Sequence, residues 1–143
     1  MHRLLWGRVQ ARLHRRGELL HLGAHSLGLC NVLELAGADV SFAQLVWVRL
    51  EEANLSRAHL QYSDLDAAFM SDANLSGAYL KKAKLFNAQL KGADLSGAIL
   101  KEADLTDADV SEKQLLTAKS LEGATMPNGQ KYEDWLKEKE ARK

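Results

Sequence analysis

Leucine or a close substitute recurs at every fifth residue along most of this chain, and that interval excludes the common secondary structures. On an α-helix, five residues advance by roughly 500°, so successive leucines would spiral onto every side. On a continuous strand, a step of five moves each leucine to the opposite face, because side chains alternate with period two. A chain that turns a corner once per pentad can keep the leucines together. Each short extended piece then points two residues inward, with one pointing outward between them, and bends. Four such pieces close a square coil of twenty residues. The segment ANLSRAHLQYSDLDAAFMSD, residues 53–72, is followed by near-copies of itself at 73–92 and 93–112.

The pattern runs without insertion through fifteen pentads from Ala38 to Glu112. The first position is alanine in thirteen of them, with Val48 and Ser63 as the exceptions. The third is leucine in twelve, with Val40, Met70 and Val110 in the others. Looser pentads extend upstream through Leu35 and Cys30. Alanine and leucine read as the inward pair, a small residue where walls crowd and a large one to fill the axis. Asp, Asn, Ser, Lys, Gly and Gln occupy the positions between and after them and suit outward turns. The single proline, Pro127, lies outside the repeats, as expected if every coil donates backbone N–H groups to its neighbour.

Tandem A(D/N)LXX repeats of this kind resemble those of pentapeptide repeat proteins, and the resemblance covers residues 28–112. It implies an all-β fold: a right-handed quadrilateral β-helix, or β-solenoid, with four pentapeptides per coil and coils stacked by backbone hydrogen bonds. The tail SLEGATMPNGQKYEDWL is similar to the segment that closes many bacterial members after the last coil. The chain fits one domain with short additions. Residues 1–27 form a basic N-terminal segment read as a capping helix, 28–112 the repeat coil, and 113–143 a C-terminal cap with short helices.

Residues twenty apart should stack in four inward columns. These are Leu35–Leu55–Leu75–Leu95, Val40–Leu60–Leu80–Leu100, Leu45–Leu65–Leu85–Leu105 and Cys30–Leu50–Met70–Leu90–Val110. About four and a quarter coils at the inter-strand spacing of about 4.8 Å give a body about 20 Å long. Cys30 reads as a small buried hydrophobe. Open coil edges invite aggregation unless covered. Ser111 and Gln114 have capping-box spacing for a helix from about Glu112 to Lys119, which would lay Leu115 and Leu116 over the last coil. MPNG marks a turn, and YEDWLKEKEARK a charged helix anchored by Trp135 and Leu136. Leu5, Val9, Leu13 and Leu20 form one helical stripe beside the arginines of the N-terminal segment. A basic amphipathic membrane contact and an Arg-rich presequence are alternatives for that segment.

The formal net charge is zero, but it is unevenly spread. Five arginines and one glutamate give residues 1–27 a charge of +4; seven basic and thirteen acidic residues give 28–112 a charge of −6; the remainder carries +2. A single cysteine rules out an internal disulfide framework and fits a reducing, cytoplasmic location. No apolar run approaches the roughly 18 residues needed to span a bilayer.

A function would have to sit on the outward positions. Asn54, Asn74 and Asp94 form a polar ladder with Ser56, Ser76 and Ser96, expected to hydrogen-bond along the stack. The next wall differs: His59, Tyr79 and Ile99 line up, with Phe42 and Tyr62 at its corner. This apolar strip reads either as aromatic packing between coils or as a protein-binding face. Trp47, Phe69 and Phe86 occupy other outward positions. Asp64, Asp66, Asp104, Asp107 and Asp109 fall on flat solvated walls with no dry cleft to shift a pKa. His2, His14, His21 and His25 lack the spacing of a zinc site, and there is no phosphate loop or nucleophile elbow. The expectation is a non-enzymatic scaffold, monomeric or homodimeric, without cofactor, metal or direct nucleic-acid binding, whose partner is another protein.

The family resemblance implies a second role, imitation of duplex DNA toward gyrase. B-DNA carries about one negative charge per 1.7 Å, whereas a net −6 over this body is about one per 3.4 Å. Lys81, Lys82, Lys84, Lys91 and Lys101 interrupt it further, and no loop interrupts the pentads as in some gyrase-protecting members. A third alternative is a membrane-surface adaptor held by the Arg-rich head.

Overall fold

A computed structural model describes residues 33–143. Cys30 and the stripe Leu5, Val9, Leu13 and Leu20 lie outside the described residues. From residue 33 onward the chain turns a corner every five residues. Parallel bridges join residues twenty apart: Glu34 to Asn54 to Asn74 to Asp94 on a first wall, and Asp39 to His59 to Tyr79 to Ile99 on a second. Gln44, Asp64, Lys84 and Asp104 bridge on a third wall, and Arg49, Phe69, Gln89 and Asp109 on a fourth. Four walls of five residues therefore close each coil. The walls are too short for extended strands, and each meets its neighbour through one bridging residue per coil.

The backbone bonding follows a fixed rule. The N–H at the third position donates to the coil above, as Leu55 does to the Asn74 carbonyl at 2.8 Å, while the N–H at the second position donates to the coil below, as Asn54 does to Leu33 at 2.9 Å. The first-position N–H closes the preceding corner, as in Ala58 to the Leu55 carbonyl at 3.0 Å. That corner is a β-turn whose third residue, the fifth of the pentad, takes a positive φ, the mark of a type II turn. Phe42, Glu52, Tyr62 and Lys82 all have φ of 56–60° there. Such values are uncommon for residues with a Cβ, and Gly37, Gly77, Gly92 and Gly97 relieve the strain at four corners of the repeats.

Inside, the third-position columns form one continuous core. Leu55, Leu60, Leu65, Met70, Leu75, Leu80, Leu85, Leu90, Leu95, Leu100 and Leu105 are each no more than 1% exposed. The alanines beside them are equally buried, and where serine takes an alanine's place the Ser63 hydroxyl donates to the Leu60 carbonyl at 2.7 Å. That bond removes the cost of burying a hydroxyl.

Above the last full coil the first wall is replaced by helix α1, Glu112–Leu115. It is shorter than the pattern suggests: Leu115 is buried, but Leu116 is largely exposed. Ser111 and Gln114 form the capping box. The Gln114 side-chain amide also donates to the carbonyls of Leu90 and Ala93 at 2.7 and 2.9 Å, standing in for a ladder N–H that a further coil would supply. The chain then resumes the coil. Ser120 bridges Ile99 and Thr125 bridges Asp104, with Leu121, Ala124 and Met126 buried, so a partial coil follows with one extra residue in its register. Gly129 closes a turn onto Met126, and helix α2, Tyr132–Ala141, lays Tyr132 and Trp135 against the core. Leu136 is half-buried.

Candidate interaction face

The N–H of the fourth residue in each pentad has no place in the ladder, and this decides what the outward second position does. On the first wall a short polar side chain captures it. Asn54 Oδ1 accepts from the Ser56 N–H at 3.2 Å, Asn74 from Ser76 at 3.0 Å and Asp94 from Ser96 at 2.9 Å. The hydroxyls of Ser56 and Ser76 donate to the same oxygens. Asp39, Asp64 and Asp104 do likewise for Ser41, Asp66 and Thr106. The Asp/Asn of the repeat is thus a local turn device. Its bonds run within the pentad rather than along the stack, with Asn54 to Glu34 at 2.8 Å as an exception.

The second wall keeps this device at Asp39 and gives it up in the three coils above. At its second position stand His59, Tyr79 and Ile99, and among the described residues no side chain accepts from the N–H of Gln61, Lys81 or Lys101. In return the rings of His59 and Tyr79 stack at 4.7 Å. At the adjoining corner Phe42 and Tyr62 stack in parallel planes at 4.9 Å. The strip is therefore two separate stacked pairs with Ile99 half-buried above, not one unbroken column. Stacking covers one face of each ring and leaves the outer surface free: Phe42 is 69% exposed, Tyr62 44% and Tyr79 38%. His59 is exposed as well.

The corner continues upward in a different chemistry. The Lys82 ammonium lies 5.9 Å from the centre of the Tyr62 ring and 3.3 Å from the Glu102 carboxylate. Across the third wall, Trp47 tilts against Phe69 at 6.4 Å, and Val46, Trp47 and Phe86 are exposed along the far corner. The register of twenty sets Val46 and Phe86 on one corner, and the coordinates add the contact of Trp47 with Phe69.

The carboxylates of the walls do local work. Hydrogen bonds from Ser41 and Ser96 hold Asp39 and Asp94 below the usual carboxylate range. Burial pushes Asp66 upward, opposed by the Phe86 N–H that donates to it. Among the described residues no group of three or more His, Cys, Asp or Glu side chains is placed to hold a metal ion. Two shallow clefts of about 240 and 170 Å³ lie at the C-terminal cap, lined by residues such as Leu115, Leu116 and Tyr132 in one and Val110, Met126 and Trp135 in the other. Neither gathers titratable groups with shifted pKa values. No helix among the described residues is long and apolar enough to cross a membrane.

A period of five residues with bridges at twenty is joined by a direct family match: the model for pentapeptide repeats, in eight copies, covers residues 53–92 and 83–112. The chain is a pentapeptide repeat protein. Among solved structures, it is 31% identical to the pentapeptide repeat protein Rfr23 from the cyanobacterium Cyanothece 51142, with a TM-score of 0.54, covering 67% of this chain and 61% of that one. It is 28% identical, with a TM-score of 0.36, to HetL, a pentapeptide repeat protein involved in heterocyst differentiation regulation in Nostoc sp. strain PCC 7120, covering 69% of this chain and 62% of that one. This pentapeptide repeat chain thus spans less than two thirds of either. No curated protein sequence matches it.

Proposed function

We propose that this pentapeptide repeat protein is a non-enzymatic scaffold, built on a right-handed β-helix, that binds another protein through the strip Phe42, His59, Tyr62, Tyr79 and Ile99. The observation that carries the reading is the loss of the turn device on the second wall. The first wall keeps Asn or Asp at Asn54, Asn74 and Asp94 and satisfies a backbone N–H each time. The second wall forgoes those bonds at three successive coils and places rings or an aliphatic chain there instead. A residue chosen for local turn stability would be polar. Exposed apolar surface grouped in this way is characteristic of protein-binding sites.

Charge placement supports a scaffold over DNA mimicry. Lys82 and Lys84 sit 3.3 and 3.5 Å from Glu102 and Asp64, breaking the negative field on two adjoining faces. The test is affinity capture from a lysate of the source organism, comparing the natural chain with Tyr62→Ser/Tyr79→Ser. The variant should keep the circular dichroism of the parent and lose the specifically captured protein. A variant that captures the same protein equally well would exclude this strip as the binding face.

A further inference from the structure

The binding face has a second component, and it points to the chemistry of what binds. Residues 33–112 contain seven lysines and arginines, and four of them, Lys81, Lys82, Lys84 and Lys101, lie on or beside the corner that carries Phe42 and Tyr62. The rest of the repeat body is dominated by acid. We infer that the occupant of the strip is an extended, acidic peptide segment with an apolar anchor. The inference rests on the binding-face reading above and adds the identity of the partner segment.

Three observations carry it. Rings and ammonium groups follow one another on the same column: Phe42 stacks on Tyr62, and Lys82 sits over Tyr62 one coil higher. Two of the cations are available. Lys82 is paired with Glu102 through an exposed contact, which exchanges readily for a better-placed carboxylate, whereas Lys84 meets the mostly covered Asp64 carboxylate and Lys101 is held by both oxygens of Glu122 at 3.0 Å. Lys81 has no ion-pair partner among the described residues. The dimensions also fit. Adjacent coils are about 4.8 Å apart, and side chains two residues apart on an extended segment share a face at a separation of about 7 Å. An apolar side chain set against Tyr62 therefore places a carboxylate two residues away near Lys81 and Lys82. A nucleic acid would meet the same lysines, but its phosphate backbone would also run across a body of net charge −6. A segment with one or two carboxylates touches only the basic corner.

The test is selection of phage-displayed random peptides on the full-length chain, with the recovered peptides measured by fluorescence polarisation. Peptides with Asp or Glu two residues from an aromatic or aliphatic residue should be enriched. Their affinity should fall at least about tenfold with Lys81→Gln/Lys82→Gln, and also with added salt. Tyr62→Ser/Tyr79→Ser should abolish their binding. Enriched peptides that need the tyrosines but are neutral, and ignore the lysine changes, would overturn the acidic assignment and leave the face standing. Peptides indifferent to both variants, or no enrichment at all, would overturn the face and the inference together. A fluorescent oligothymidine that binds through these lysines more tightly than the peptides would replace the peptide assignment with a nucleic-acid one.

Discussion

The first and second walls of this coil share a backbone, a core and a ladder, yet they treat the outward second position in opposite ways. On the first wall, Asn54, Asn74 and Asp94 face outward and bond back to their own turns. On the second, His59 and Tyr79 face outward and stack on each other through their rings, and among the described residues no side chain accepts from the turn N–H groups of Gln61 and Lys81. The comparison separates two roles that one repeat position can play. Where Asp or Asn stands, the position stabilises the corner; where it is replaced, the corner loses a bond and the surface gains a new chemistry.

The largest effect should be blind to this difference. Leu75→Ala beneath the first wall and Leu80→Ala beneath the second each remove a fully buried side chain from a narrow core. Each should cost about 2–5 kcal/mol in urea unfolding. Similar costs would show that the walls share one skeleton. A much smaller cost at Leu80 would mean that the second wall is locally loose, and that its exposed rings report poor packing rather than a binding face.

The next test goes to the difference itself. Asn74→Ala removes the acceptor of the Ser76 N–H and hydroxyl and should cost about 1 kcal/mol. Tyr79→Asn does the reverse, restoring the turn device and removing the stack on His59. A stacked pair and a turn bond are of similar size, so stability should change by less than about 1 kcal/mol while partner binding is lost. A loss above about 2 kcal/mol would make the His59–Tyr79 pair a structural staple and return the second wall to the same role as the first.

The repeat pattern revealed the coil and its inward columns because a side chain on the axis repeats strictly with the backbone. What it hid were the places where geometry is not periodic. Helix α1 stops at Leu115, and the coil resumes at Ser120 and Leu121, with Gly123, Ala124, Thr125 and Met126 at the fifth, first, second and third positions that follow. That short stretch was legible in type, but the extra residue before it disrupts the count of twenty that reveals a coil. The positive φ of the fifth position left only a faint signal, in Gly37, Gly77, Gly92, Gly97 and Asn87, because Phe42, Trp47 and Tyr62 also adopt it. At the strip, sequence could align His59 with Tyr79. It could not show that the Phe42 and Tyr62 rings lie face to face or that the Lys82 ammonium reaches the Tyr62 ring.

Acid offers a finer contrast between the walls. Asp94 on the first wall is held below its ordinary value of 3.8 by hydrogen bonds from Ser96. A carboxylate with a depressed folded pKa contributes stability that is present above the unfolded value and is lost as pH falls through the folded one. Asp94→Asn keeps the acceptor and removes the proton, as Asn54 and Asn74 already do. The variant should match the parent at neutral pH and become the more stable of the two below about pH 3.8. Unfolding midpoints in urea between pH 6 and 2 measure this. Parallel curves across that range would remove the charge of Asp94 from any part in the turn.

The smallest effect lies at the corner between the second and third walls. Lys82→Gln ends the contact with Glu102 at 3.3 Å and the approach to the Tyr62 ring at 5.9 Å. Both partners of the ion pair are well exposed, so solvent screens the attraction and the flexible side chains lose entropy in making it. Unfolding free energy should therefore change by no more than about 0.5 kcal/mol. A loss above about 1 kcal/mol would show that the Phe42–Tyr62–Lys82–Glu102 column is a continuous structural ladder. The corner would then resemble the first wall, with its exposed side chains committed to the fold and fewer of them free to meet a partner.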